Sequence, residues 1–187
     1  MTDIDVLETV LEKDADLLAA VPPDTMNAST ACPEYDVRTL VNHIVGWAQV
    51  FAASAAGRTS DSDPTSYESK RPAAEFQTAA DELVRGWREG GVDRQVRLSG
   101  PELPGQMVLS MTLMEYVTHG CDLALATGQP VPFSDDELEA ALDHAKKTLP
   151  EEYRGPGKAF GPEIEVPEDS SALDRLLGFM GRRPPKH

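Results

Sequence analysis

A chain of 187 residues is long enough for one domain with a full core and short for two. Its apolar share of 40% and charged share of 26% are those of a globular protein rather than a disordered one. A net charge of −15 argues against nucleic acid or an anionic membrane as the main partner, because both would repel it.

The first residues, MTDIDVLETVLEKDAD, carry acids where a secretory signal carries Lys or Arg before an unbroken apolar stretch. No uncharged apolar run reaches membrane-spanning length. A cytoplasmic protein is expected, monomeric or homodimeric. The two cysteines, Cys32 and Cys121, form no C-x-x-C pair for zinc or redox chemistry and are read as reduced thiols.

The first helix is predicted from about Thr2 to Ala20. Ile4, Leu7, Leu11 and Leu18 recur at helical spacing, Val10 and Leu17 join them, and Asp and Glu fill the other face. Val21-Pro22-Pro23 ends it. Asp36 is placed to cap a second helix running to about Ala56, lined by Val37, Leu40, Val41, Ile44, Ala48 and Phe51. The polar stretch from Gly57 to Lys70 has no apolar period and reads as a mobile loop. Pro72 suits the first turn of a third helix, which carries Phe76, Leu83, Val84 and Trp87 and stops at Gly90-Gly91. Between residues 92 and 105 the helical pattern breaks, and Val96 and Leu98 alternate with charges, as in a short hairpin. A fourth helix is predicted from about Gln106 to Thr127, ended by Gly128-Gln129-Pro130. The capping box Ser134-Asp-Asp-Glu137 opens a fifth helix to about Leu149. A Gly/Pro-rich crossing, expected to pack as irregular coil, leads to a last short helix around Ser171 to Phe179. The expectation is an all-α protein: one domain over residues 1–187, a four-helix bundle with a hairpin excursion and two small C-terminal helical additions.

The fourth helix carries the chemistry. Met107, Met111, Met114, Cys121 and Leu125 share one side of its wheel, extended by Leu113 and Val117, while Leu109, Tyr116 and Leu123 lie nearly opposite. A helix apolar on opposite sides is buried against several neighbours. Its interior charges, Glu115, His119 and Asp122, fall in one sector roughly 60° wide. Charges in a packed core are costly unless paired or bound to a metal. Glu115 and His119, four apart, project from one face and can reach one ion. The third ligand is then His43, at the edge of the apolar stripe of the second helix, where a side chain points into an interhelical groove. A satisfied boundary histidine fits that position too. His144 on the fifth helix reads as solvated, and His187 is the terminal residue.

Three segments carry a family resemblance. CPEYDVRTLVNHIVGW, from Cys32 to Trp47, resembles the N-terminal signature of the mycothiol-dependent maleylpyruvate isomerase N-terminal domain family, within the DinB/YfiT-like metalloprotein group. EYVTHGCDLALATGQP, from Glu115 to Pro130, is similar to that family's second signature. LDRLLGFMGRRP, from Leu173 to Pro184, resembles the close of its short actinobacterial branch. The resemblance implies a DinB-like four-helix bundle and a divalent metal, zinc or else nickel, held by His43, Glu115 and His119. Positions 35 and 121 depart from it, holding tyrosine and cysteine where such relatives often have tryptophan, and both can still line a pocket. The isomerase itself is expected to carry a further C-terminal domain, for which this length leaves no room.

Two neutral imidazoles and one carboxylate leave a positive metal with a position for water or substrate. The resemblance supplies a small-molecule thiol, mycothiol, and so a transferase or isomerase in which a metal-bound thiolate attacks an electrophilic substrate. Asp122 then stands behind the ligands, holding His119 or another nearby donor. The alternative for Asp122 is a buried acid paired with an arginine. The alternative for the whole protein is a metal-binding sensor, store or partner-binding domain without turnover.

Overall fold

A computed structural model of the protein describes residues 2–32, 35–98, 100–155, 160–167 and 169–183. Pro33, Glu34 and Pro184 of the segments quoted above, part of the Gly/Pro-rich crossing and the terminal His187 lie outside these residues.

The apolar periods fold as the expected all-α bundle. Helix α1 spans Asp3–Ala19, α2 Val37–Ala55, α3 Pro72–Gly90, α4 Gly105–Thr127, α5 Asp135–Thr148 and α6 Ala172–Phe179. Capping residues set the starts. Thr2 and Ser134 each form a full capping box, and Asp36 accepts the Thr39 amide at the head of α2. Gly128, with φ at 71°, turns the chain out of α4 in the left-handed conformation that glycine adopts without strain.

Helices α1 and α2 stand on one diagonal of the bundle, each flanked by α3 and α4. The core is contributed by all four, with Leu7, Leu40, Ile44, Phe76, Leu83, Trp87, Leu109, Tyr116 and Leu123 almost fully buried. Both flanks of α4 are buried, as its two-sided pattern requires. Helix α5 packs on α4, and α6 on α5. The expected hairpin forms from β1, Gln95–Arg97, and β2, Glu102–Pro104, paired antiparallel with Val96 opposite Leu103. It rests on α2 and α4 and so closes one end of the groove between them. No helix among the described residues is long and apolar enough to cross a membrane.

Three expectations need adjusting. The 57–70 segment is irregular, but its second half is tied down: Ser69 N–H donates to Asn42, and Tyr67 and Ser69 hydroxyls donate to Glu75. His144 is half-buried rather than solvated, because α5 rolls it partly toward the protein. Asp14, counted with the polar face of α1, is instead buried in the core.

The crossing toward α6 packs on the protein as coil. Arg154 is its clamp: the guanidinium donates to the Phe179 carbonyl at 2.7 Å and lies 4.4 Å from the centre of the Phe179 ring. Ile164 N–H donates to Gly178 O, which fastens the coil before α6.

Candidate metal centre

His43 and His119 come from facing helices, α2 and α4, and their rings stand 4.8 Å apart, edge to face. Glu115 lies one turn before His119 on α4 and points into the same gap. Its Oε1 sits 2.7 Å from His43 Nε2 and 3.5 Å from His119 Nε2. One donor atom from each of the three residues lies within 4.8 Å of the others. The structure therefore brings together all three residues singled out in the sequence.

Each imidazole is also held from behind. His43 Nδ1 is 3.0 Å from the Tyr35 hydroxyl, and His119 Nδ1 is 3.1 Å from Asp122 Oδ2. With Nδ1 engaged on both rings, both Nε2 atoms turn toward Glu115. This is how proteins orient histidines that bind metal through Nε2, since a partner on the far nitrogen fixes the ring and its tautomer. Asp122 combines the two roles left open for it. It faces His119 and is also paired with Arg182, whose Nε and Nη2 donate to its carboxylate at 3.0–3.2 Å. Burial works to raise the Asp122 carboxyl, but Arg182 first and His119 after it outweigh burial and hold it below the usual range. Arg182 donates its remaining Nη1 to Met180 O, so the pair is anchored to the chain just after α6.

Glu115 experiences the same competition. Burial raises its carboxyl, yet His119, His43 and Arg182 together bring it down to about 2. It is a carboxylate at any ordinary pH, the form a cation needs. The donor set fits a divalent ion of the zinc type: two imidazoles and one carboxylate, each already oriented. Ligands about 2.1 Å from a tetrahedral ion stand roughly 3.4 Å apart. The Glu115–His119 separation matches that spacing, and the Glu115–His43 contact would have to open by under about 1 Å.

The triad forms one wall of a cavity of about 640 Å³. Trp47 and Phe51 from α2, Met107, Met111 and Met114 from α4, and Tyr153 after α5 are among its other lining residues. Cys32 and Tyr35 also reach it. Cys121 is not on its wall. It is buried in the core, and burial followed by the neighbouring Asp122 pushes its thiol well above the ordinary value, so it stays an inert packing residue.

Tyr35 does line the cavity, as position 35 allowed, but sequence reasoning missed its contact with His43, and it missed Arg182. Tyr35 precedes the capping Asp36 and read as loop. Arg182 lies 60 positions from Asp122, in a tail with no apolar rhythm.

Residues 7–124 match the family model described as the mycothiol maleylpyruvate isomerase N-terminal domain. That span includes all three triad residues. Two uncharacterised proteins of Mycobacterium tuberculosis, one from strain CDC 1551 / Oshkosh and one from strain H37Rv, are each 31% identical to this chain over 168 residues. The match covers 90% of this chain and 91% of each relative. No solved structure matches the chain. The chain belongs to the mycothiol maleylpyruvate isomerase N-terminal domain family.

Proposed function

We propose that the protein is a mycothiol-dependent metalloenzyme, a transferase or isomerase, in which His43, Glu115 and His119 hold a divalent ion of the zinc type. The observation that carries this reading is directional. Both Nε2 atoms and a carboxylate that stays ionised converge at the wall of a cavity large enough for a small molecule, while both Nδ1 atoms are engaged on the opposite side.

When bound, the ion supplies a Lewis-acidic position at which a thiol ionises near neutral pH. The chain's own residues do the rest. Asp122, neutralised by Arg182, accepts from His119 Nδ1–H and keeps Nε2 as the donor atom. Tyr35 orients His43 in the same way from the neutral side. Trp47, Phe51 and the methionines of α4 give the cavity apolar walls beside the triad, where electrostatic interactions are stronger than in bulk water.

The test is elemental analysis of protein purified without a metal-affinity tag, beside His119→Ala. Wild type is expected to carry about one divalent ion per chain, and the variant to lose it while keeping its helical spectrum. Cobalt-substituted wild type should then develop a thiolate-to-metal charge-transfer band on addition of mycothiol. Equal metal content in the variant would remove the ligand assignment. Bound cobalt with no band at millimolar mycothiol would remove the thiol chemistry.

A further inference from the structure

Large apolar side chains left in water need a reason when they cluster. Among the described residues two stay exposed, Met107 at 36% and Tyr153 at 52%, and both stand on the rim of the cavity beside the triad. They come from different parts of the chain, the first turn of α4 and the segment after α5, so their meeting is a property of the fold. Inside the rim, Met111 and Met114 continue from Met107 at helical spacing and make a ridge of thioethers along one side. Trp47 and Phe51, with rings 5.6 Å apart, form the facing aromatic wall. Methionine is unbranched and polarisable, and it moulds itself to flat or irregular apolar shapes.

Outside the histidines of the triad, and before any ion is bound there, the charged side chains on the described wall have one sign. Apart from the two triad histidines, the ionisable groups among the described lining residues that carry charge at neutral pH are Glu115 and Glu152. The protein as a whole adds its −15. Away from the triad a small dianion, such as a dicarboxylate, would meet apolar walls and no lysine or arginine among the described lining residues, so its second charge would be desolvated without a partner.

We propose that the cavity holds an uncharged, largely apolar small molecule, aromatic or branched, whose body lies between the methionine ridge and Trp47–Phe51 and whose reactive end faces the triad. This makes the electrophile a hydrophobic compound and not a dicarboxylate. The inference rests on the metal-thiol reading only for what happens at the reactive end.

The test uses N-phenyl-1-naphthylamine, a neutral aromatic probe that fluoresces when it leaves water, with wild type, His119→Ala, Met111→Glu and Tyr153→Asp. One saturable site is expected in wild type and in His119→Ala, weakened at least about tenfold by either substitution, because each removes an apolar contact and sets a carboxylate against the ligand that must give up hydration. Tyr153 is half in water, so Tyr153→Asp leaves the fold intact even if Met111→Glu does not. A neutral aromatic alcohol should displace the probe at concentrations where maleate does not. Absence of a saturable site, equal affinity in Tyr153→Asp, loss of binding in folded His119→Ala, or displacement by maleate as effective as by the alcohol would each overturn the proposal. Metal content, measured on the same samples, decides the metal reading separately.

Discussion

Asp14 offers the sharpest check on the energetics of the fold, and Asp14→Asn is the perturbation. The side chain is 1% exposed, and neither carboxylate oxygen has a hydrogen-bond partner among the described residues. It fits because α4 has glycine opposite it. A Cβ at Gly120 would overlap Asp14 Oδ1 and come within 2.6 Å of the Phe133 ring. Burial raises the Asp14 carboxyl well above its ordinary 3.8. The sign follows from proton counts. Below 3.8 both folded and unfolded chains hold the proton and Asp14 adds no pH dependence. Above it the unfolded chain releases the proton while the folded chain keeps it. Stability then falls by up to about 1.4 kcal/mol per pH unit, until the raised folded value is reached. Asparagine has the same shape and no proton to lose. Urea titrations followed by circular dichroism, on both proteins at pH 4, 5, 6 and 7, should show the variant gaining on the wild type. At an m-value of about 2 kcal/mol/M the midpoints drift apart by about 0.7 M per unit. Other titrating groups are common to both proteins and drop out of the difference. Parallel profiles from pH 4 to 7 would refute the claim that Asp14 is protonated in the core.

Two further substitutions probe the packing. Arg182→Leu leaves the Asp122 carboxylate buried without its guanidinium and should cost about 3–5 kcal/mol in a denaturant titration, most of it recovered when Asp122→Leu is added; a loss below about 1 kcal/mol would show that Asp122 does not depend on this pair. Gly86→Ala should destabilise by about 1–3 kcal/mol, because the new Cβ would lie 2.7 Å from the Ala55 carbonyl carbon where α3 crosses α2. Helix propensity alone predicts the opposite, a gain of about 1 kcal/mol, so the direction of the change decides between the two arguments.

Much of the bundle was legible because burial leaves a period. Val37, Leu40, Val41, Ile44, Ala48 and Phe51 line α2 as their spacing required, and all six are buried. The charged stripe of α4 was legible for a related reason, whereas His43 alone read equally as a boundary histidine. On a helix whose opposite faces are both apolar, Glu115, His119 and Asp122 cannot be solvent-facing charges, so they had to have partners. What stayed hidden depends on tertiary contact. Asp14 falls in the same rhythm as Leu7, Leu11 and Leu18, yet an acid in α1 reads as part of the charged face unless the glycine across from it is known. Arg182 could be foreseen as some arginine paired with Asp122, but nothing local selects it among the basic residues. The cavity is assembled from α2, α4, the hairpin and the segment after α5, and no window of sequence contains it.

The two histidines of the triad are not equivalent, and the difference bears on how the site would accommodate an ion. His119 is fixed in the core: its side chain is 7% exposed, and the carboxylate behind it is locked by a buried arginine. Moving that ring would disturb a network whose members are buried together, which is costly. His43 is 17% exposed and leans on a neutral phenol from the loop before α2. A tyrosine hydroxyl can turn about its own C–O bond and keep its contact as the ring shifts, with no buried ion pair to disturb. The distances agree with this division, since the Glu115–His119 spacing already suits a shared ion and the Glu115–His43 spacing is the short one. Any adjustment to an ion would therefore fall on His43, on α2's side of the groove. That is also the side carrying Trp47, whose ring stands 6.3 Å from that of His43, so the ring that would yield to an ion is the one next to the aromatic wall of the cavity.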